Sequence, residues 1–523
     1  MFAGIFTRVL AAVFLWAFVS AAWVSPLPPT QDPFYEVPAN VSGYENGDII
    51  NWRPTPAQLR SVYFPLNVEG SWQLLVRSED SERNPTAFVT TVIKPYNAIP
   101  SKLLSYEAFE DSACLDCSPS YSVLYGASMR TFSIQVEVAM MNIGLSKNWY
   151  VVLPDYEGPK SAFSAGVQSG KATLDGIRAA LKSSEITEIS RDAKVGLFGF
   201  SGGSIAVGWA AQLQPEHAPE LKDHIIGAAA GGFVTNMTLT AIAMDGTSYS
   251  GLAVAAVNGL VQEYSGLLDV LEKEINPTKL DTFYKARSLC LRELSGVYDL
   301  TELFTGTDPW MTRGLGFFDV PEVKKVLELN ILALNGVAPE VPVFIFQGEQ
   351  DDLAPFEQVQ RVYDDWCSWG ASSVEFAVSR STGHLLEAVT GLGAAFAWLE
   401  DRFDGYLPVK GCLRTVRDNN IAYPGAYPNY QRLLTTFFRG IFGEKIGDDP
   451  SEETMLAKVL AFILGEWIGV LQGEQRTLES PRVGLAANAS ELRVFKGLGD
   501  VVDLWRKEKI DPWRVLEEAQ IKR

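Results

Sequence analysis

Short, continuous apolar runs that stop abruptly at turn residues constrain this chain most. Residues 149–153 (WYVVL) end at Pro154-Asp155, 195–200 (VGLFGF) at Ser201-Gly202-Gly203, and 341–346 (VPVFIF) at Gln347-Gly348. A run with no polar face reads as a strand buried on both sides, as in a mostly parallel sheet covered by helices. Residues 225–230 read the same way, and Val374, Phe376 and Val378 alternate as one more strand. Helical patterns fall between them: 171–181, with Leu174, Ile177 and Leu181 on one face, then 204–213, then 385–399. Strands alternating with helices predict an α/β architecture. Upstream, 72–76 and 87–93 flank a polar segment, which predicts a hairpin, and 103–106 reads as a further short strand.

From Thr235 to about residue 337 the pattern turns mainly helical, with Gly and Pro breaks. It lies between two strands and so reads as an insertion. The expected division is a signal peptide at 1–22, an extended segment at 23–71, and a sheet core at 72–234 and 326–412. A helical cap or lid occupies 235–325, and a C-terminal extension 413–523.

The first 22 residues carry one charge, Arg8, then an apolar run over 9–19 closed by Ser20, Ala21 and Ala22. Eleven apolar residues are too short to span about 30 Å of hydrocarbon, so the segment reads as a cleaved secretory signal and the protein as secreted. Export makes glycans at the Asn40, Asn236 and Asn488 sequons and disulfides expected features. Residues 455–471 are apolar but contain Lys458 and Glu466, and read as a packed amphipathic helix, not a transmembrane anchor.

Lys plus Arg total 44 and Asp plus Glu 63, a net charge of −19. Such a chain repels phosphate backbones and anionic membranes, which argues against nucleic-acid partners. Five cysteines and three histidines show no metal-ligand spacing, so neither metal nor cofactor is expected.

Gly199-Phe200-Ser201-Gly202-Gly203 is a G-x-S-x-G motif between a predicted strand and a predicted helix. That context suits a sharp turn that lifts a nucleophilic hydroxyl above the sheet, with Gly199 and Gly203 where elements crowd. The Gly202 N–H, at the helix start, is aimed where an oxyanion would form. A base and an acid must follow. His217 and His224 sit in polar surroundings and read as surface residues. His384 lies in a loop between a strand and a helix, in the chain order Ser, acid, His. Asp351 and Asp352 both follow a strand end, and spacing prefers neither.

From about Trp72 to Cys412 the chain resembles the fungal secretory lipases. The resemblance is carried by 86–92 (TAFVTTV), Cys117-Ser118-Pro119-Ser120-Tyr121, Asp155-Tyr156-Glu157-Gly158, 174–178 (LDGIR), the serine motif, Asp351-Asp352-Leu353-Ala354-Pro355 and His384-Leu385. It implies an α/β-hydrolase fold, Asp351 as the triad acid, and an oxyanion hole from Gly202 and Asp155. It also implies disulfides Cys117–Cys290 and Cys367–Cys412, with Cys114 left over. The activity implied is carboxylic-ester hydrolysis on lipids at a lipid–water interface. An esterase or acyltransferase on a small metabolite, a peptidase, and an inactive binding protein are the other readings. An apolar face near the pocket mouth is expected from the insertion, which carries Leu252, Val257, Leu260, Phe317 and Phe318. A second contribution is expected from the extension, through Phe437, Phe438, Ile441, Phe442 and the 455–471 helix.

Overall fold

The computed structural model describes residues 25–441 and 443–447. The 1–22 leader, Phe442, the 455–471 segment and Asn488 lie outside the described residues. The larger sheet has ten strands. The first three, β1 (Ile49–Pro54), β2 (Gly70–Glu79) and β3 (Pro85–Lys94), are antiparallel, with Trp72 opposite Val92 in the β2–β3 hairpin. Next come β4 (Ile99–Glu107), helix α1 (Phe132–Ser146) and β5 (Trp149–Pro154). Helix α2 (Gly166–Lys182) leads to β6 (Lys194–Phe200), and α3 (Gly202–His217) to β7 (Ile225–Gly231).

The insertion follows and includes α4 (Met237–Met244), α5 (Ser250–Glu263) and α6 (Pro321–Leu329). The chain then runs through β8 (Val343–Gly348), α7 (Phe356–Ser368), β9 (Ser373–Ser379), α8 (His384–Thr390), α9 (Leu392–Phe403), β10 (Gly411–Arg417) and α10 (Ala426–Ile441). The spatial order is β1-β2-β3-β5-β4-β6-β7-β8-β9-β10, parallel from β5 onward.

The apolar runs are strands with both faces buried, each feeding a separate core. Tyr150, Val152 and Ile345 join α2, α3, α7 and the insertion on one face, while Val151, Leu153, Phe344 and Phe346 join α1 and α9 on the other. Strand alternation thus splits one apolar run between two cores. Helices α2 and α3 pack backbone to backbone: a Cβ on Gly170 would lie 2.7 Å from the Trp209 carbonyl carbon.

The sheet reaches beyond the expected boundaries. Strand β1 lies in the segment read as extended, and β10 runs past residue 412. Both are edge strands with exposed positions, so neither has the apolar run that betrays a central strand. Helix α6 continues past residue 325, and the helix expected over 385–399 is two helices broken at Gly391. Asn40 is exposed; Asn236 is half-buried, and its Oδ1 accepts the Leu239 N–H at 3.1 Å to cap α4.

The insertion is closely packed, with Leu252, Leu260, Phe304 and Phe317 buried. A small apolar cavity lies among α4, α5 and α6, walled by Met237, Ala241, Val257, Val261, Phe318 and Val323. Helix α10 packs on α1 and α9, and the chain then reaches Asn67 and Tyr96, at the N-terminal edge of the parallel strands. Phe437, Phe438 and Ile441 therefore lie on a helix leading away from the serine turn, because its polar-buried face docks behind the sheet.

Cys117–Cys290 ties the β4–α1 loop to the insertion and Cys367–Cys412 ties α7 to β10, leaving Cys114 free and buried. The sequence separations are 173 and 45. Loop-closure entropy then assigns about 5 kcal/mol to the first bridge and about 4 kcal/mol to the second. In urea unfolding, Cys117→Ala/Cys290→Ala should lose more stability than Cys367→Ala/Cys412→Ala. The reverse order would show that native-state effects outweigh chain entropy.

Candidate active site

Ser201 occupies the one-residue turn between β6 and α3, at φ 55° and ψ −122°. The turn is possible because its flanks lack side chains. A Cβ on Gly199 would meet the Gly203 carbonyl oxygen at 2.3 Å, and one on Gly203 would meet the Glu107 carbonyl oxygen at 1.9 Å. Hydrogen bonds hold the strained residue: Ser201 N–H donates to Gly231 O at 2.9 Å, and Ser204 Oγ donates to Ser201 O at 2.5 Å.

His384 opens α8 and reaches across, placing Nε2 2.8 Å from Ser201 Oγ. Its Nδ1 lies 2.8 and 3.0 Å from the two carboxylate oxygens of Asp351. Asp351 is itself held by donors: Leu353 N and Ala354 N at 3.0 and 2.7 Å, and Gln347 Nε2 at 2.8 Å. All three side chains are buried, whereas Asp352 is exposed. His217 and His224 are half-buried, not surface residues. The first bonds the buried Asp175 at 3.1 Å from the far end of α3, and the second faces Ala193 O at 3.0 Å, ahead of β7. Both stand at the opposite edge of the sheet from Ser201.

Gly202 begins α3, so its N–H is one of the helix's unpaired donors. Asp155 does not complete an oxyanion hole. Its N–H continues the β5–β3 ladder to Val89 O at 3.0 Å, and its carboxyl accepts from Ser120 N and Oγ at 2.7 and 2.5 Å. Its backbone N–H is committed to the sheet and its carboxyl to Ser120.

The residue that reaches this space is Asp111, in the loop after β4. A Cβ on Gly202 would collide with its Oδ1 at 1.7 Å, so glycine at 202 makes room for this carboxyl. Oδ1 is buried without a hydrogen-bond partner, and the backbone there is left-handed, at φ 49°. Burial raises the Asp111 carboxyl to about 7, against a lowering influence from His384. A sequence signal existed: Glu107, Glu110 and Asp111 crowd behind an apolar strand that neighbours the serine strand.

The Secretory lipase family model matches residues 124–411. The chain belongs to the secretory lipase family. Lipase 1 of Candida albicans is 44% identical over 462 residues, covering 87% of this chain and 98% of that protein. Lipase 5 of the same organism is 46% identical over 433 residues, 82% of this chain and 91% of its own. The X-ray structure of Candida antarctica lipase A in its closed state superposes with a TM-score of 0.70 at 27% identity, covering 79% of this chain and 96% of that one. The fold is that of the α/β hydrolases, and the enzyme is a carboxylic ester hydrolase of the triacylglycerol-lipase type.

This lipase surrounds its serine turn with buried acids. Burial raises Glu107 to about 8 and Asp155 to about 7, and pushes Glu110, Glu137 and Glu157 well above the carboxylate range. Among the described residues no group of three or more His, Cys, Asp or Glu side chains is arranged to hold a metal, and no helix is long and apolar enough to cross a membrane.

The folded state holds these protons more tightly than the unfolded chain, whose carboxyls titrate near 4. Their contribution to stability is therefore whole below about pH 4 and lost as pH rises through about 7 to 8. Melting temperature should fall between pH 5 and pH 8, and Glu107→Gln should make the fall shallower. A melting temperature that rises over this range would contradict the assignment.

Proposed function

We propose that this lipase is secreted and cleaves lipid esters through an acyl-enzyme formed on Ser201. The observation that carries the reading is the unbroken chain of contacts from Ser201 Oγ through His384 to Asp351. Ser201 attacks the ester carbonyl while His384 Nε2 takes its proton, then returns it to the leaving alcohol. Asp351 holds the Nδ1–H tautomer and balances the imidazolium charge. Water, activated by the same histidine, releases the fatty acid.

The negative oxygen of each tetrahedral intermediate is bound by the Gly202 N–H and by Asp111. A carboxyl raised to about 7 is protonated in mildly acid solution and can donate its O–H. Its orphaned oxygen beside Gly202 supports that role. The first 22 residues and the disulfides support export, and the named lipase relatives support a lipid ester as substrate.

Hydrolysis of p-nitrophenyl butyrate and of an emulsified triglyceride tests the reading. Ser201→Ala, His384→Ala and Asp351→Asn should each lower kcat by about 10⁴-fold or more with the fold intact, and Asp352→Asn by far less. Asp352→Asn proving the more damaging of the two would reject Asp351 as the acid.

Asp111 gives a separate signature. Asp111→Ala should cost about 10²- to 10³-fold in kcat, the usual loss for one oxyanion donor. In the parent enzyme kcat should decline as pH rises through about 7, because ionised Asp111 cannot donate and repels the oxyanion. Asp111→Asn keeps an N–H donor that does not titrate, so that decline should disappear. A decline that persists in Asp111→Asn would remove Asp111 from the oxyanion hole.

A further inference from the structure

Helix α8 is inverted. In a helix covering a soluble core the apolar stripe faces inward. Here the inward residues are His384, Glu387 and Thr390, spaced three apart, and all are buried. The outward residues are Leu385, Leu386 and Val389, exposed by 68%, 54% and 46%. The inner face is polar for a reason internal to the fold. Glu387 accepts hydrogen bonds from Thr382 Oγ1 and Asn420 Nδ2, both at 2.7 Å, and from Thr390 Oγ1 at 3.1 Å. This network fixes the start of the helix that carries His384. It does not require leucine or valine on the solvent side, where three large apolar groups lower solubility.

The outward face is also placed at the site. Leu385 is the next residue after His384, whose ring touches Ser201. Helix α4 opens at the same edge of the sheet, after Gly232, where an added Cβ would meet His384 Cε1 at 2.8 Å. On α4, Leu239 and Ile242 are exposed by 44% and 38%. The outward face of α8 carries no charge, and the chain as a whole carries −19. A face of this kind gains nothing from anionic headgroups and is suited to an uncharged ester phase.

We propose that the outward face of α8, extended by Leu239 and Ile242 of α4, is the surface by which the lipase docks on neutral lipid. The docked phase then lies against the helix that begins at His384. This rests on the lipid-ester reading above and names the surface that reading requires.

The test uses the full chain with Ser201→Ala, so that lipid is bound and not consumed. The probe is a triolein emulsion coated with phosphatidylcholine, and bound protein is separated by flotation. Leu386→Glu/Val389→Glu should lower the bound fraction about tenfold, and Val389→Trp should raise it, a gain that misfolding does not mimic. With Ser201 restored, both variants should hydrolyse soluble p-nitrophenyl acetate within about twofold of the parent, since neither residue touches the reacting groups.

An unchanged bound fraction in the double variant would overturn the proposal. So would stronger binding to phosphatidylglycerol vesicles than to the emulsion, or a dimer in sedimentation that the double variant dissociates, which would make this face a contact between copies. An unmutated enzyme inert toward p-nitrophenyl acetate would instead defeat the hydrolase reading, while flotation still decided the surface.

Discussion

The proposed active site depends on one backbone turn. Ser201 sits at φ 55°, a region that costs a non-glycine residue about 1–3 kcal/mol. The cost is offset locally by the bonds to Gly231 and Ser204, and by the two close approaches that only Gly199 and Gly203 allow. Straightening the turn would drop the hydroxyl into the sheet. It would also move the α3 N-terminus, and with it the Gly202 N–H, away from the space above Ser201. The Ser201 hydroxyl and the Gly202 N–H are thus positioned by the same strain.

A second constraint is the burial of carboxyls around that turn. Glu107, Glu110, Asp111, Glu137, Asp155 and Glu157 are all buried. Burial disfavours their ionised forms, so they hold their protons to higher pH than exposed carboxyls do. Some are tied into the fold: Asp155 binds the Ser120 backbone and hydroxyl, and Glu137 accepts the Phe109 N–H at 2.6 Å. Glu110, Asp111 and Glu157 each keep an unpaired oxygen, and that of Asp111 stands beside Gly202, a residue with no side chain. In a packed interior an unpaired polar atom is expensive, and the oxyanion role proposed for Asp111 gives that expense a use.

How much of this was legible in the sequence follows from burial. Central strands showed as apolar runs because helices cover both faces, and the serine motif showed because its glycines serve a geometry few other sequences permit. Strands β1 and β10 escaped notice because an edge strand may be polar. The expected donor role of Asp155 fails for a different reason. It stands at a strand end above the sheet, but whether a backbone N–H is free depends on the neighbouring strand. The antiparallel partner β3 consumes the Asp155 donor, and strand pairing across 66 residues is not written locally. The buried contacts of His217 were hidden likewise, since Asp175 is distant in sequence and adjacent only once α2 and α3 pack.

The described part of the C-terminal extension acts on the site from behind. A seven-residue helix has little stability of its own and must be held by tertiary contacts. Helix α8 is held by residues beyond the expected core boundary at 412. Asn420 Nδ2 donates to Glu387, and the Tyr430 hydroxyl donates to the Thr390 carbonyl at 2.5 Å while accepting the Gly393 N–H at 3.2 Å. These contacts close the end of α8 and fix its junction with α9. The extension is therefore joined to the catalytic unit through the helix that presents His384. Its described part grips the polar inner face of α8 from within while Leu385, Leu386 and Val389 stay exposed, so the same short helix is anchored in the protein on one side and, in the proposal, offered to lipid on the other.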